Sequence, residues 1–122
     1  MKTLDRIFGG LLILASFGHT LGTFRLVPYM SGMFVWSLGA SLAGTLLGVL
    51  NLVRAGRPDD KTLAIITAAG TACWMLLALA FGKSIGNLLD PRVVGHAAIS
   101  AMLVIFSFLT LRHMLRVTMP QQ

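Results

Sequence analysis

Charge is what this chain has least of. Only 11% of its 122 residues are Asp, Glu, Lys or Arg, while 56% are hydrophobic. A soluble domain carries about 25% charged residues, so this chain has too few to cover a water-facing surface. Cysteine is nearly absent too. Cys73 stands alone, which excludes an intramolecular disulfide and a Cys-x-x-Cys pair, and with them a two-cysteine membrane thiol oxidoreductase. Its expected role is a small buried hydrophobe. No Walker loop, Gly-x-Ser-x-Gly elbow or zincin motif is present. The middle of each apolar run also lacks Asp, Glu, Lys and Arg, where a proton- or sodium-coupled transporter would hold a carboxylate.

The charges that remain fall in five short clusters around four apolar runs. Each run is about 20 residues long, enough for a helix to cross ~30 Å of hydrocarbon. The expected spans are residues 7–24, 33–53, 62–81 and 93–111. Residues 1–122 then form a single domain, an all-α polytopic membrane protein built as an antiparallel four-transmembrane-helix bundle. The two halves show no internal repeat.

The net charge of +6 does not point to nucleic acid, because no aromatic residues interleave with the basic ones. The basic residues flank the apolar runs, as membrane orientation requires. Lys2, Arg6, Arg54, Arg57, Lys61, Arg112 and Arg116 lie on one side, seven in all, against Arg25, Lys83 and Arg92 on the other. This bias predicts both termini in the cytoplasm. Met1 to Arg6 followed by the first apolar run imitates a secretory signal, but no clean Ala-x-Ala site follows, so an uncleaved first span is expected.

Local signals fit the four spans. Pro28 breaks the chain after the first, and Tyr29 belongs at an interface. Gly56 ends the second; Pro58 with Asp59 and Asp60 starts the third. Asp90-Pro91 reads as N-cap and first helical residue of the fourth. Ala40, Gly44 and Gly48, and likewise Ala64, Ala68 and Ala72, recur every four residues and let helices approach closely. Thr67 and Thr71 are expected to bond back to their own helix carbonyls, and mid-span Trp74 to fill the core.

Two Gly-His pairs stand out. His19 lies six residues before Arg25, about 9 Å inside the boundary, and His96 four residues after Arg92, about 6 Å inside it. Both fall in the outer half at similar depth. If the first and fourth helices are neighbours, the imidazoles face one another, with Thr20, Thr23 and Ser100 near their level. Arg25, Tyr29, Asp90 and Arg92 form the polar rim. His113 lies at the opposite face. An ionisable side chain within a span faces protein or water rather than lipid. The bland alternative for either histidine is a bond to a carbonyl or threonine of a neighbouring helix.

Acting together, the histidines have three chemistries open to them. They can bond the carbonyls of a quinone or another lipophilic ligand. One can serve as acid–base catalyst on a lipid-soluble substrate, with its pKa set by Asp90 or Arg25 nearby. Or both can ligate a haem axially, with Gly18, Gly22 and Gly95 leaving room for the macrocycle. Zinc normally takes three or four protein ligands, and only Asp90 is available as a third, so no metal site is expected apart from haem iron.

Size and span count resemble the small multidrug transporters, but that family depends on a first-span glutamate and this chain has none there. The Gly18-His19-Thr20-Leu21-Gly22 stretch resembles the end of the first span in small bacterial four-helix membrane proteins without an assigned activity. That resemblance implies a multi-pass protein of a bacterial inner membrane. The function expected first is an accessory or binding subunit, with an outer-leaflet pocket for a lipophilic small molecule at His19 and His96. Its partners would be the bilayer and a homo-oligomer or larger membrane complex. The alternatives are a membrane-embedded enzyme and a bis-histidine haem protein.

Overall fold

A computed structural model describes residues 2–118, and the side chains of residues 2–115. The described residues form four helices: α1 (Lys2–Leu26), α2 (Gly32–Gly56), α3 (Lys61–Ser84) and α4 (Pro91–Thr118). Each is long and apolar enough to cross a membrane.

The helices start and stop where the sequence supplies the chemistry. Ser31 Oγ accepts from Phe34 N at 3.1 Å to cap α2, and Asp60 Oδ1 accepts from Leu63 N at 2.9 Å to cap α3. Asp90 Oδ1 takes the Arg92 N–H at 2.9 Å to cap α4, whose first residue, Pro91, has no N–H to lose. After α3 the chain turns at Gly86 with φ +69°, a left-handed conformation that glycine adopts without strain.

All four helices outrun their expected spans. The largest differences are at the end of α4, which continues from the expected 111 to Thr118, and at the start of α1; the ends of α2 and α3 follow. Lys2 to Arg6 and Arg54, which lie outside the expected spans, belong to α1 and α2. Gly82, expected to open the last loop, lies inside α3 and is buried. A Cβ there would meet Val93 Cγ1 at 2.9 Å, so α3 and α4 touch closely at this end.

α1 packs most extensively on α2, and α3 on α4. α1 against α4 and α2 against α3 close the ring, giving the cyclic order α1–α2–α3–α4. The α1–α2 contact brings backbones together. A Cβ on Gly48 would stand 2.6 Å from Ile13 Cγ1 and 3.0 Å from the Gly9 carbonyl oxygen. At Gly44 it would collide with Ser16 Oγ and sit 3.0 Å from Trp74 Cζ2. This is the small-residue face expected from the four-residue spacing.

The interior is more polar than the exterior. Among the described residues, ten polar or charged side chains are buried, against eight hydrophobic ones, of which Ala55, Ala64 and Ala68 are three. Leu12, Leu103 and Phe106 form the apolar centre, while Leu14, Phe17, Leu21, Trp36, Leu76 and Leu77 are exposed. A water-soluble bundle has the opposite arrangement. Cys73 points outward as well, contrary to its expected burial, because Thr67, Ala68 and Thr71 hold the inner face of α3.

Candidate functional site

The buried polar groups divide into two sets, one near each end of the bundle. At the basic end, Arg54 is fully buried. Its Nη2 donates to Asp5 Oδ1 of α1 and to Asn51 Oδ1 at 3.2 Å, and its Nη1 donates to Thr110 Oγ1 of α4 at 3.3 Å. Asn51 Nδ2 passes the network to α3, donating to Thr71 Oγ1 at 3.0 Å. Thr67 and Ser107 bridge α3 and α4 at 3.2 Å. One charged pair with its hydrogen bonds therefore ties all four helices together. Among the described residues, the only buried polar side-chain atom at this end without a partner is Arg54 Nε.

Neither Asp5 nor Arg54 was singled out from the sequence, because each stands beside exposed charges, Lys2 and Arg6 in one case and Arg57 in the other. The signal was the continuation of the α2 stripe. From Gly44 and Gly48, steps of three and four residues reach Asn51 and Ala55, and Arg54 sits a further i+3 from Asn51 on that face. Thr71 departs from its expected role by accepting from Asn51. Thr67 bonds the carbonyls of Leu63 and Ala64 as expected.

The opposite end holds the histidines. α1 and α4 are neighbours, and His19 and His96 lie within electrostatic reach of one another across that contact. Trp74 does more than fill the core. From α3 its indole packs beside Gly44, and its Nε1–H donates to His96 Nδ1 at 3.3 Å, with the rings edge to face at 5.8 Å. An Nδ1 that accepts is unprotonated, so the neutral imidazole carries its proton on Nε2.

Several groups at this end have unfilled hydrogen bonds. Among the described residues, His96 Nε2 and both nitrogens of His19 have no hydrogen-bond partner, and both histidines are half-buried. Ser100 is one turn further along α4, fully buried, and its Oγ is unpartnered. The glycines beside them face open surroundings. A Cβ added at Gly18, Gly22 or Gly95 would meet nothing within 4 Å, unlike the tight glycines of the α1–α2 contact.

The other expected residues divide. Thr20 and Thr23 bond the carbonyls of Ser16 and His19 in their own helix, at 3.1 and 2.9 Å. Asp90 is gripped by Arg92 through both carboxylate oxygens, at 2.9 and 2.8 Å. These bonds hold its carboxyl well below the usual range, at about 2. Arg92 also lies 5.4 Å from the Phe81 ring centroid. Arg25 and Tyr29 are exposed, and the Tyr29 ring rests on Phe34 at 5.2 Å. The structure thus groups His19, His96, Trp74 and Ser100, and leaves Asp90–Arg92 as a capping pair at the rim.

A cavity of about 310 Å³ lies at the basic end, lined by Lys2, Asp5, Arg54, Thr110 and His113 among others. It is remote from the histidines. We place the candidate site at the histidines because more polar groups are left unfilled there than at the basic end, where Arg54 Nε is the one buried atom without a partner among the described residues. Neither a protein-family model nor a curated protein nor a solved structure matches this chain.

Proposed function

We propose that this chain is a multi-pass protein of a bacterial inner membrane, with both termini in the cytoplasm, acting as a small binding or accessory subunit. Its outer-leaflet groove at His19 and His96 holds the polar head of a lipophilic ligand bearing a carbonyl or hydroxyl oxygen. The observation that carries this reading is the contrast between the two ends. The Asp5–Arg54 network is almost fully paired, whereas His19, His96 Nε2 and Ser100 Oγ lack partners. A buried polar group left unpaired out of water costs about 1–3 kcal/mol, a cost that a ligand hydroxyl or carbonyl bonded to Ser100 Oγ would remove.

The tautomer of His96 favours one ligand chemistry over the others. With Trp74 donating to Nδ1, Nε2 presents a proton, which suits a ligand oxygen. Iron requires an unprotonated nitrogen, so haem ligation at Nε2 would demand that the Trp74 bond break. The acid–base enzyme reading is weakened in turn, because Arg92 engages the Asp90 carboxylate it would use.

The test is purification in mild detergent followed by lipid extraction, mass spectrometry and a visible spectrum of oxidised and reduced samples. The expected result is a co-purifying molecule with a carbonyl or hydroxyl head. It should be lost in His96→Ala and depleted in His19→Ala, with a featureless visible spectrum and unchanged melting. Equal retention by both variants refutes the reading. A Soret band that vanishes in both replaces it with haem.

A further inference from the structure

The cavity at the basic end is not used by the histidine site, and its walls have a chemistry of their own. It opens between α1, α2 and α4. Lys2 and His113 stand on its lining, both exposed, and Arg54 forms part of its wall. Lys2 makes no ion pair among the described residues. Arg54 is held on one side by Asp5, Asn51 and Thr110, and its Nε is buried without a partner. Leu109, Ala55 and Pro58 supply an apolar side.

Two carboxylates, Asp5 and Asp59, also line the cavity. Asp5 is neutralised by Arg54, which leaves Asp59 facing Lys2 and His113. The surroundings are cationic, since seven of the ten basic residues belong to this end. A buried guanidinium behind the wall, a free ammonium, an imidazole and an apolar side together match a phosphate group attached to, or lying beside, a hydrocarbon chain. Basic pockets between membrane helices take phospholipid head groups in this way.

We propose that this cavity is a phosphate-binding site, distinct from the histidine groove, in which Lys2 and His113 contact the phosphate at the mouth and Arg54 backs it. The phosphate belongs either to an anionic phospholipid or to free inorganic phosphate. A volume of about 310 Å³ accommodates a phosphate head group.

The full chain in neutral detergent is titrated with dioleoylphosphatidylglycerol, with dioleoylphosphatidylcholine and with inorganic phosphate. Lipid adducts are followed by native mass spectrometry and free phosphate by ³¹P line broadening. The variants are Lys2→Gln/His113→Gln and Lys83→Gln, a basic residue at the opposite end. Both positions of the double variant are exposed, so melting should match the unmodified chain.

Phosphatidylglycerol retained over phosphatidylcholine, weakened about tenfold in the double variant and unchanged in Lys83→Gln, assigns the site to a lipid head group. Broadening by phosphate alone with the same dependence on Lys2 and His113 assigns it to the free anion. The proposal is overturned by binding of neither probe, by binding indifferent to the double variant, or by equal weakening in Lys83→Gln. None of these outcomes bears on ligand retention at His19 and His96.

Discussion

Asp5→Asn is the sharpest test of what holds the bundle together. The amide keeps the shape of the carboxylate and removes its charge. Arg54 is fully buried, and the Asp5 side chain is 9% exposed, so the variant leaves a guanidinium whose side-chain acceptors are all neutral: Asn51, Thr110 and the new amide oxygen. Removing one partner of a buried ion pair destabilises by about 3–5 kcal/mol. The adjacent cavity of about 310 Å³ admits water to the pair and moves the expectation to the low end. A loss of about 3 kcal/mol lowers Tm by roughly 10 °C in a chain of this size. Thermal melting and SDS titration, both followed by circular dichroism in mild detergent, read it directly. Asp5→Leu/Arg54→Met removes both charges and is expected within about 1 kcal/mol of the unmodified chain, because no uncompensated ion remains. A loss below about 0.5 kcal/mol in Asp5→Asn, or a double variant no better than Asp5→Asn, refutes the reasoning.

Three further outcomes are expected. Gly48→Ala loses about 1–3 kcal/mol on melting, since its Cβ meets Ile13 and the Gly9 carbonyl; Gly95→Ala, facing open space, is neutral or gains up to about 1 kcal/mol from helix propensity. Cys73 is exposed and lies some 17 Å from either end of α3, so in intact membranes it should resist a membrane-impermeant maleimide and react with a lipid-soluble one. Rapid labelling by the impermeant reagent would contradict a membrane-spanning α3. For the α4 cap, the depressed Asp90 pKa means that the pair contributes stability above the ordinary value of 3.8 and loses it as pH falls through about 2. A carboxyl-carbon NMR titration should place the midpoint near 2 in the unmodified chain and return it toward 3.8 in Arg92→Gln.

The amino-acid sequence by itself determined the helix count, the approximate place of each helix and which stretches suit hydrocarbon. Those are local properties. Apolar runs of sufficient length form helices, Ser31, Asp60 and Asp90 cap them with their own side chains, and Gly86 turns where only the backbone of one residue matters. It also supplied the expectation that His19 and His96 share a level, since helix rise turns residue number into depth.

Only the tertiary structure decided what those residues meet. When both faces of a helix are apolar, periodicity says little about which face turns inward, so Cys73 pointing outward was not legible. Asp5 and Arg54 are 49 residues apart, and each reads locally as a hydrophilic flank. They become a buried pair only because α1 and α2 cross at Gly9 and Gly48, where backbones approach without side chains between them. Trp74 could be assigned to a core from its sequence position, but its bond to His96, which sets where the imidazole proton lies, required α3 to pack on α4. Helix formation is settled within a few residues along the chain; charge burial and hydrogen-bond partnership depend on helices that meet only after folding.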